Sequence, residues 1–227
     1  MSVEIAVVDR ELYGISDAAR ILRMPASTLR WWLEGKAEHQ PVIRPTRTGS
    51  GYISWGEFVE AGFLREYRLR GVPFQRLRHF VETLRMESGV PHPLAHAKPL
   101  VLGRGLVLAA QAAAQLDDPV IYEAQSGQFL FAHAVEQYIE RIDVAPKGEP
   151  WAERIHPAGR ASPVVIDPEY AFGAPSVRGI RTEALVELLD AGEPSEEIAS
   201  DYGLTPEDVK AAAAYEWSVA GGWSVAA

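Results

Sequence analysis

Residues able to do covalent or metal chemistry are sparse in this chain. Asp117-Asp118 and Glu196-Glu197 are adjacent acids, and neighbouring side chains point apart on a regular helix or strand. They read as solvated surface, not as an acid/base pair. His92 and His96 have ligand-like spacing, but Pro91 and Pro93 disfavour a helix there, and a third zinc ligand is not evident. Gly103-Arg104-Gly105 lacks the rest of a phosphate-loop fingerprint and reads as a hairpin turn. His39, His79, His133 and His156 stand singly. Cysteine is absent, which excludes disulfides, cysteine-ligated zinc, iron–sulfur clusters and a thiol nucleophile. These residues predict a protein that is not an enzyme and needs no cofactor.

Binding chemistry is better represented. Within Ala26–Glu34, Leu29, Trp32 and Leu33 share one helical face. At about 100° per residue, Ser27 and Trp31 then point to the opposite side, with Thr28 and Arg30 on the flanks. Serine and threonine can donate to phosphates or bases, and arginine can clamp phosphate or guanine. Arg44 and Arg47 follow in a segment where cations would add salt-dependent affinity for a duplex. The competing role for Ser27 and Thr28 is to cap their own helix. Trp31 could equally be a packing residue.

The elements that must position these groups are legible. Ile15, Ala18, Ala19 and Leu22 mark a helix over Ser16–Arg23, with Ser16 as its cap. Pro41–Ile53 reads as two short strands around Thr48-Gly49-Ser50-Gly51. Ser54 and Glu57 form a capping box for a helix running to about Arg70, which Gly71 ends. After Pro73 comes Phe74–Met86, with Leu77, Phe80, Val81 and Leu84 inward. Two short helices, a turn, a two-stranded wing and further helices describe a winged helix-turn-helix over residues 1–88.

Residues 89–163 form a middle region. Leu100–Ala110 and Val120–Phe131 predict β-hairpins, and Ala132–Val144 is ambiguous between helix and strand. Pro146–Pro163, with four prolines and two glycines, reads as a linker. From Val164 the pattern becomes helical: Thr182–Ala191, Ser195–Tyr202, and a helix from Pro206 to about Trp217 capped by Thr205 with Asp208 at its third position. Gly221, Gly222 and an isolated Trp223 lie in the tail. The expected class is α+β and mainly helical, with an N-terminal winged module, a β-containing middle and a C-terminal three-helix unit at 164–227.

The balance of a 227-residue chain with 47% apolar and 23% charged residues excludes wholesale disorder. The net charge of −9 is uneven. Residues 13–88 hold twelve Lys/Arg against eight Asp/Glu, whereas 89–227 hold nine against twenty. One part is suited to an anion and the rest to something else. The N-terminus lacks the order of a signal peptide, and the best apolar run, Leu106–Leu116, is interrupted by Gln111 and Gln115. A soluble, cytoplasmic protein without a membrane partner is expected.

Two family resemblances sharpen this. Tyr13-Gly14-Ile15-Ser16-Asp17-Ala18-Ala19-Arg20-Ile21-Leu22, then Thr28-Leu29-Arg30-Trp31-Trp32, then Arg44-Pro45 through Tyr52-Ile53-Ser54, resemble the MerR-like winged helix-turn-helix family. Val165-Ile166-Asp167-Pro168-Glu169, Phe172-Gly173-Ala174-Pro175-Ser176-Val177-Arg178-Gly179-Ile180-Arg181-Thr182-Glu183 and the helices that follow resemble a small domain of VapB-type antitoxins, long labelled as of unknown function. The resemblance implies a type II antitoxin that binds operator DNA to repress its own operon and silences a PIN-domain ribonuclease, as a homodimer. Such a nuclease holds its metal with carboxylates, so Arg178 and Arg181 are candidate toxin contacts. Trp217 and Trp223 are alternative anchors. The competitors are a ligand-responsive MerR-like regulator with the middle region as sensor, and an adaptor whose winged module never meets DNA. Acidic Glu207 and Asp208 at the start of the last helix argue against a second DNA reader.

Overall fold

The computed structural model describes residues 6–36, 38–96, 138–145 and 151–221. They fall into two compact units, Met1–Glu140 with Val144–Ala152, and Arg141–Asp143 with Glu153–Ala227. The hairpins expected at Leu100–Ala110 and Val120–Phe131 lie outside the described residues, as do Gly103-Arg104-Gly105, Asp117-Asp118 and Trp223. No described helix is long and apolar enough to cross a membrane.

In the first unit, β1 (Glu11–Gly14) leads into α1 (Ile15–Ile21), and a tight turn through Arg23, at φ 53°, delivers α2 (Ala26–Glu34). Ser16 does not cap α1, because the N-cap is Gly14 and no side chain caps there. Leu29, Trp32 and Leu33 are buried as the periodicity predicts. Gly35 then ends α2 at φ 69°, where a side chain would overlap the His39 carbonyl. The expected hairpin within Pro41–Ile53 does not form. Only β2 (Tyr52–Ser54) is a strand, and it pairs antiparallel with β1 through Tyr13↔Ile53 and Gly14↔Tyr52. Residues 41–51 are held by side chains instead of a ladder. Val42 and Ile43 are buried, and their N–H groups donate to the Trp32 carbonyl at 2.9 and 3.2 Å.

The Ser54/Glu57 capping box opens α3 (Trp55–Leu69) as expected. α3 is buried over its first ten residues. After the Gly71 turn, Pro73 precedes α4 (Phe74–Ser88), which ends at left-handed Gly89. Leu77, Phe80, Val81 and Leu84 are fully buried. The chain does not leave the unit there. Residues 92–96 pack back onto α3, with Leu94 and Ala95 buried.

The chain from Arg141 onward carries more strand than expected. β3 (Ile142–Val144), β4 (Ala152–Ile155), β5 (Val165–Ile166), β6 (Pro175–Val177) and β7 (Ile180–Arg181) form one sheet in chain order. The stretch read as a linker thus supplies β4, and β5, β6 and β7 pair antiparallel before the helices begin. Strands this short lack the alternation that announces longer ones. α5 (Thr182–Asp190), α6 (Ser195–Tyr202) and α7 (Pro206–Ala220) follow. Their core joins Leu185, Ile198, Val209, Ala212, Tyr215 and Val219 to Val164, just before β5, and to Val177 of β6. The Thr205/Asp208 capping box with Pro206 at the first position is formed.

Candidate functional site

Two surfaces come from this framework. The first is α2 with the loop behind it. Ser27 and Arg30 are exposed on α2, and Thr28 is half-buried. Neither Ser27 nor Thr28 caps the helix, since the N-cap is Pro25 with no side-chain bond. Both hydroxyls are therefore not committed to capping. No ion pair of Arg30 occurs among the described residues, so α2 carries an outward guanidinium one turn after two small hydroxyl residues.

Trp31 corrects the wheel. Its ring is half-buried and stacks on Phe74 at the start of α4, centroids 4.2 Å apart, and Trp32 lies 5.8 Å from the same ring. Trp31 fastens α2 to α4 through this stack. An offset stack of this kind adds to burial, about 0.5–1.5 kcal/mol.

Arg44 is the larger correction. It is 2% exposed, so it does not face a phosphate. Its Nε donates to Glu57 Oε1 at 2.6 Å and its Nη2 to Glu57 Oε2 at 3.2 Å, a bidentate pair. Nη1 reaches Glu34 Oε1 and Thr48 Oγ1, and Nη2 reaches the Tyr52 carbonyl at 2.6 Å. One guanidinium thus ties the end of α2, the loop and the start of α3. Burial alone would pull Arg44 down, but Glu57 and Glu34 outweigh it and hold its pKa above the ordinary value. Glu57 serves twice, since its Oε2 also accepts from the Ser54 N–H at 2.8 Å. Arg47 is exposed and donates to the carbonyls of Lys36 and, at 3.0 Å, His39. It stiffens the loop while staying at the surface.

Glu60 and the two histidines complete this unit. Glu60, fully buried one turn beyond Glu57, faces His92 Nδ1 at 3.3 Å, accepts from the Leu94 N–H at 3.2 Å and lies 4.0 Å from Arg85. Burial works against the charged imidazole, yet Glu60, with Glu57 behind it, prevails and raises the His92 pKa. His96 turns elsewhere, edge-on to Trp151 with centroids 4.5 Å apart. The pair does not converge, and among the described residues no group of three metal-ligating side chains is found. Sequence reading missed Glu34 and Glu60. Glu57 was visible only as a cap.

The second surface lies around β6 and β7. Arg178, at φ 50°, and Gly179, at φ 83°, make the turn between them. Arg178 is exposed, with its Nε 3.7 Å from Asp208. Arg181 is exposed and lies over the Phe172 ring at 5.7 Å. Phe172 is 78% exposed and Tyr170 59%. Trp217 on α7 is 62% exposed, while Val219 joins the core. The structure therefore brings Arg181 together with an aromatic that sequence reading did not single out. The Phe172-Gly173 pair in a proline-bounded loop was the available signal.

These features define a chain with one unit that displays Arg30 near small hydroxyl residues and another that displays aromatic residues beside arginines. Residues 164–215 match the family described as "Protein of unknown function (DUF433)", which begins where the C-terminal resemblance was placed. Across nearly the whole chain, it is 31% identical to "Uncharacterized protein Rv2308" of Mycobacterium tuberculosis, covering 92% of each protein. It is 30% identical to "Putative antitoxin VapB45" of the same organism, over 89% of this chain and 92% of that one. A crystal structure of Rv2018 from Mycobacterium tuberculosis superposes with a TM-score of 0.71 at 31% identity, covering 92% of this chain and all of the other. The chain belongs to the family of these proteins, the one that includes VapB45.

Proposed function

We propose that this chain is the antitoxin of a type II toxin–antitoxin pair: its first unit binds operator DNA and its second holds the toxin. The observation that carries the reading is full-length kinship with a protein named as a putative antitoxin, which spans both units and not one domain alone. The first unit reads as a MerR-like winged helix-turn-helix. α2 would lie in the major groove, with Ser27, Thr28 and Arg30 as contacts and Arg47 at the flanking backbone. Arg44 and Trp31 would act behind them, as positioning residues. A homodimer would place two copies of α2 about 34 Å apart on a palindrome.

The second unit would bind a PIN-domain ribonuclease through Arg178, Arg181 and Trp217, with Trp223 beyond the described end of α7. No catalytic residue, metal or cofactor is assigned, and the protein acts in the cytoplasm. The test is co-expression with the product of the adjacent gene. Growth rescue, co-purification of the two proteins and salt-sensitive retardation of the upstream DNA are expected. A chain that retards that DNA but neither rescues nor co-purifies would instead be a stand-alone regulator.

A further inference from the structure

The loop between β5 and β6 is built to hold one aromatic ring in the open. Ala171, Phe172 and Gly173 are consecutive left-handed residues, at φ 50°, 56° and 74°. L-residues other than glycine rarely adopt this conformation, and in a run it is costly. Strain persists only where surrounding structure over-determines it, and it concentrates at functional positions. Here the support is visible. The Tyr170 N–H donates to the Asp167 carbonyl at 3.1 Å, Gly173 to Tyr170 at 2.9 Å and Ala174 to Ala171 at 3.1 Å. Buried Asp167 itself accepts from the Glu169 N–H at 2.9 Å and lies 3.4 Å from Arg154. What this scaffold holds up is Phe172, more exposed than any other large apolar side chain of the described residues. A core role would have turned the ring inward.

The surroundings say what could cover it. Residues 164–221 carry twelve Asp/Glu and three Lys/Arg, and two of those three are Arg178 and Arg181. Arg181 lies over the Phe172 ring, and Tyr170 approaches the Arg178-Gly179 turn, where a Cβ on Gly179 would lie 3.8 Å from its ring. Two of the six Lys/Arg of the second unit, Arg178 and Arg181, border the displayed aromatics. Charge complementarity therefore favours a protein partner with an apolar pocket bordered by carboxylates.

We infer that Phe172, flanked by Tyr170, Arg178 and Arg181, is the anchor that enters such a pocket on the toxin. This rests on the antitoxin reading and specifies its contact. Anchoring aromatics and arginines concentrate binding energy at interface centres. The loop is held by its own hydrogen bonds, so little ordering is needed on association.

The test uses full-length protein, the adjacent gene's product as probe, and three variants. Phe172→Asn keeps a residue that tolerates left-handed backbone. It should leave the thermal midpoint of the free chain within a few degrees while lowering toxin affinity at least about 30-fold, the loss expected for a truncated anchor. Arg181→Glu should weaken binding by a similar factor and reverse the charge match. Trp217→Ala should matter less. If wild type and both loop variants bind equally and Trp217→Ala does not, the contact is overturned and the antitoxin reading stands. If wild type itself captures nothing, the reading and the contact fall together. A Phe172→Asn chain that no longer folds would show the ring to be structural, and would also overturn the contact.

Discussion

Arg44, expected in the two-stranded wing, and Arg181, just ahead of a predicted helix, are both candidate binding cations in the sequence, yet the two units use them in opposite ways. In the first unit the guanidinium is sealed among Glu57, Glu34 and backbone carbonyls and becomes the fastener of a loop that has no strand ladder. In the second, hydrogen-bonded turns already hold residues 167–174, and the guanidinium of Arg181 in β7 remains outside over the exposed ring of Phe172. Where the backbone cannot satisfy itself, charge is turned inward. Where it can, charge stays at the surface. Other arginines of the first unit also tie its backbone together, while staying partly or fully exposed. Arg78 donates to the Pro41 carbonyl, Arg85 to those of Val42 and Ile43, and Arg68 to that of Val72.

The contrast can be broken at its strongest point. Arg44→Ala would leave Glu57 buried without its cation, and breaking a buried pair costs about 3–5 kcal/mol. Urea unfolding of the full chain should show a loss of that size, whereas Arg181→Ala should change stability by less than about 0.5 kcal/mol. Equal effects would erase the distinction.

A second cut falls on α3, whose glycines admit neighbouring side chains. A Cβ at Gly62 would overlap the Tyr138 hydroxyl, and one at Gly56 would press on Val8 and the His92 ring. Gly62→Ala should destabilise by about 1–3 kcal/mol through overpacking. A neutral result in thermal melts would mean that Tyr138 does not need the gap.

The smallest expected effect sharpens the account of buried charge. The His92 pKa is raised in the folded chain by Glu60 and Glu57 against burial and Arg85. A group raised on folding binds its proton more tightly in the native state. Its stabilisation is complete below the unfolded value, about 6.5, and is lost as pH rises through the higher folded value. Unfolding free energy should therefore fall on going from pH 6 to 8, and His92→Gln should flatten that segment of the curve. An unchanged slope in the variant would remove His92 from the account.

Much of this was legible beforehand because it is local. The Ser54/Glu57 and Thr205/Asp208 boxes, the buried face of α2 and the helix end at Gly71 follow from spacing of four residues or fewer. What was not legible is long-range. β2 pairs with β1 across the whole of α1 and α2, and β5 to β7 are too short to show alternation. Arg44 and Arg30 are equivalent in composition. Only the positions of Glu34 and Glu57 in space separate a clamp from a free contact. Phe172 carried no periodic signal because its exposure is set by backbone conformation, which sequence does not spell out.

The division of labour between the units is tested most directly by measuring operator-DNA affinity and toxin affinity side by side in full-length Arg30→Ala and Phe172→Asn proteins. The account predicts a crossed result. Arg30→Ala should lose about tenfold or more in DNA affinity, with a shallower salt dependence, while binding toxin normally, and Phe172→Asn should do the reverse. Parallel losses of both activities in both variants would contradict it.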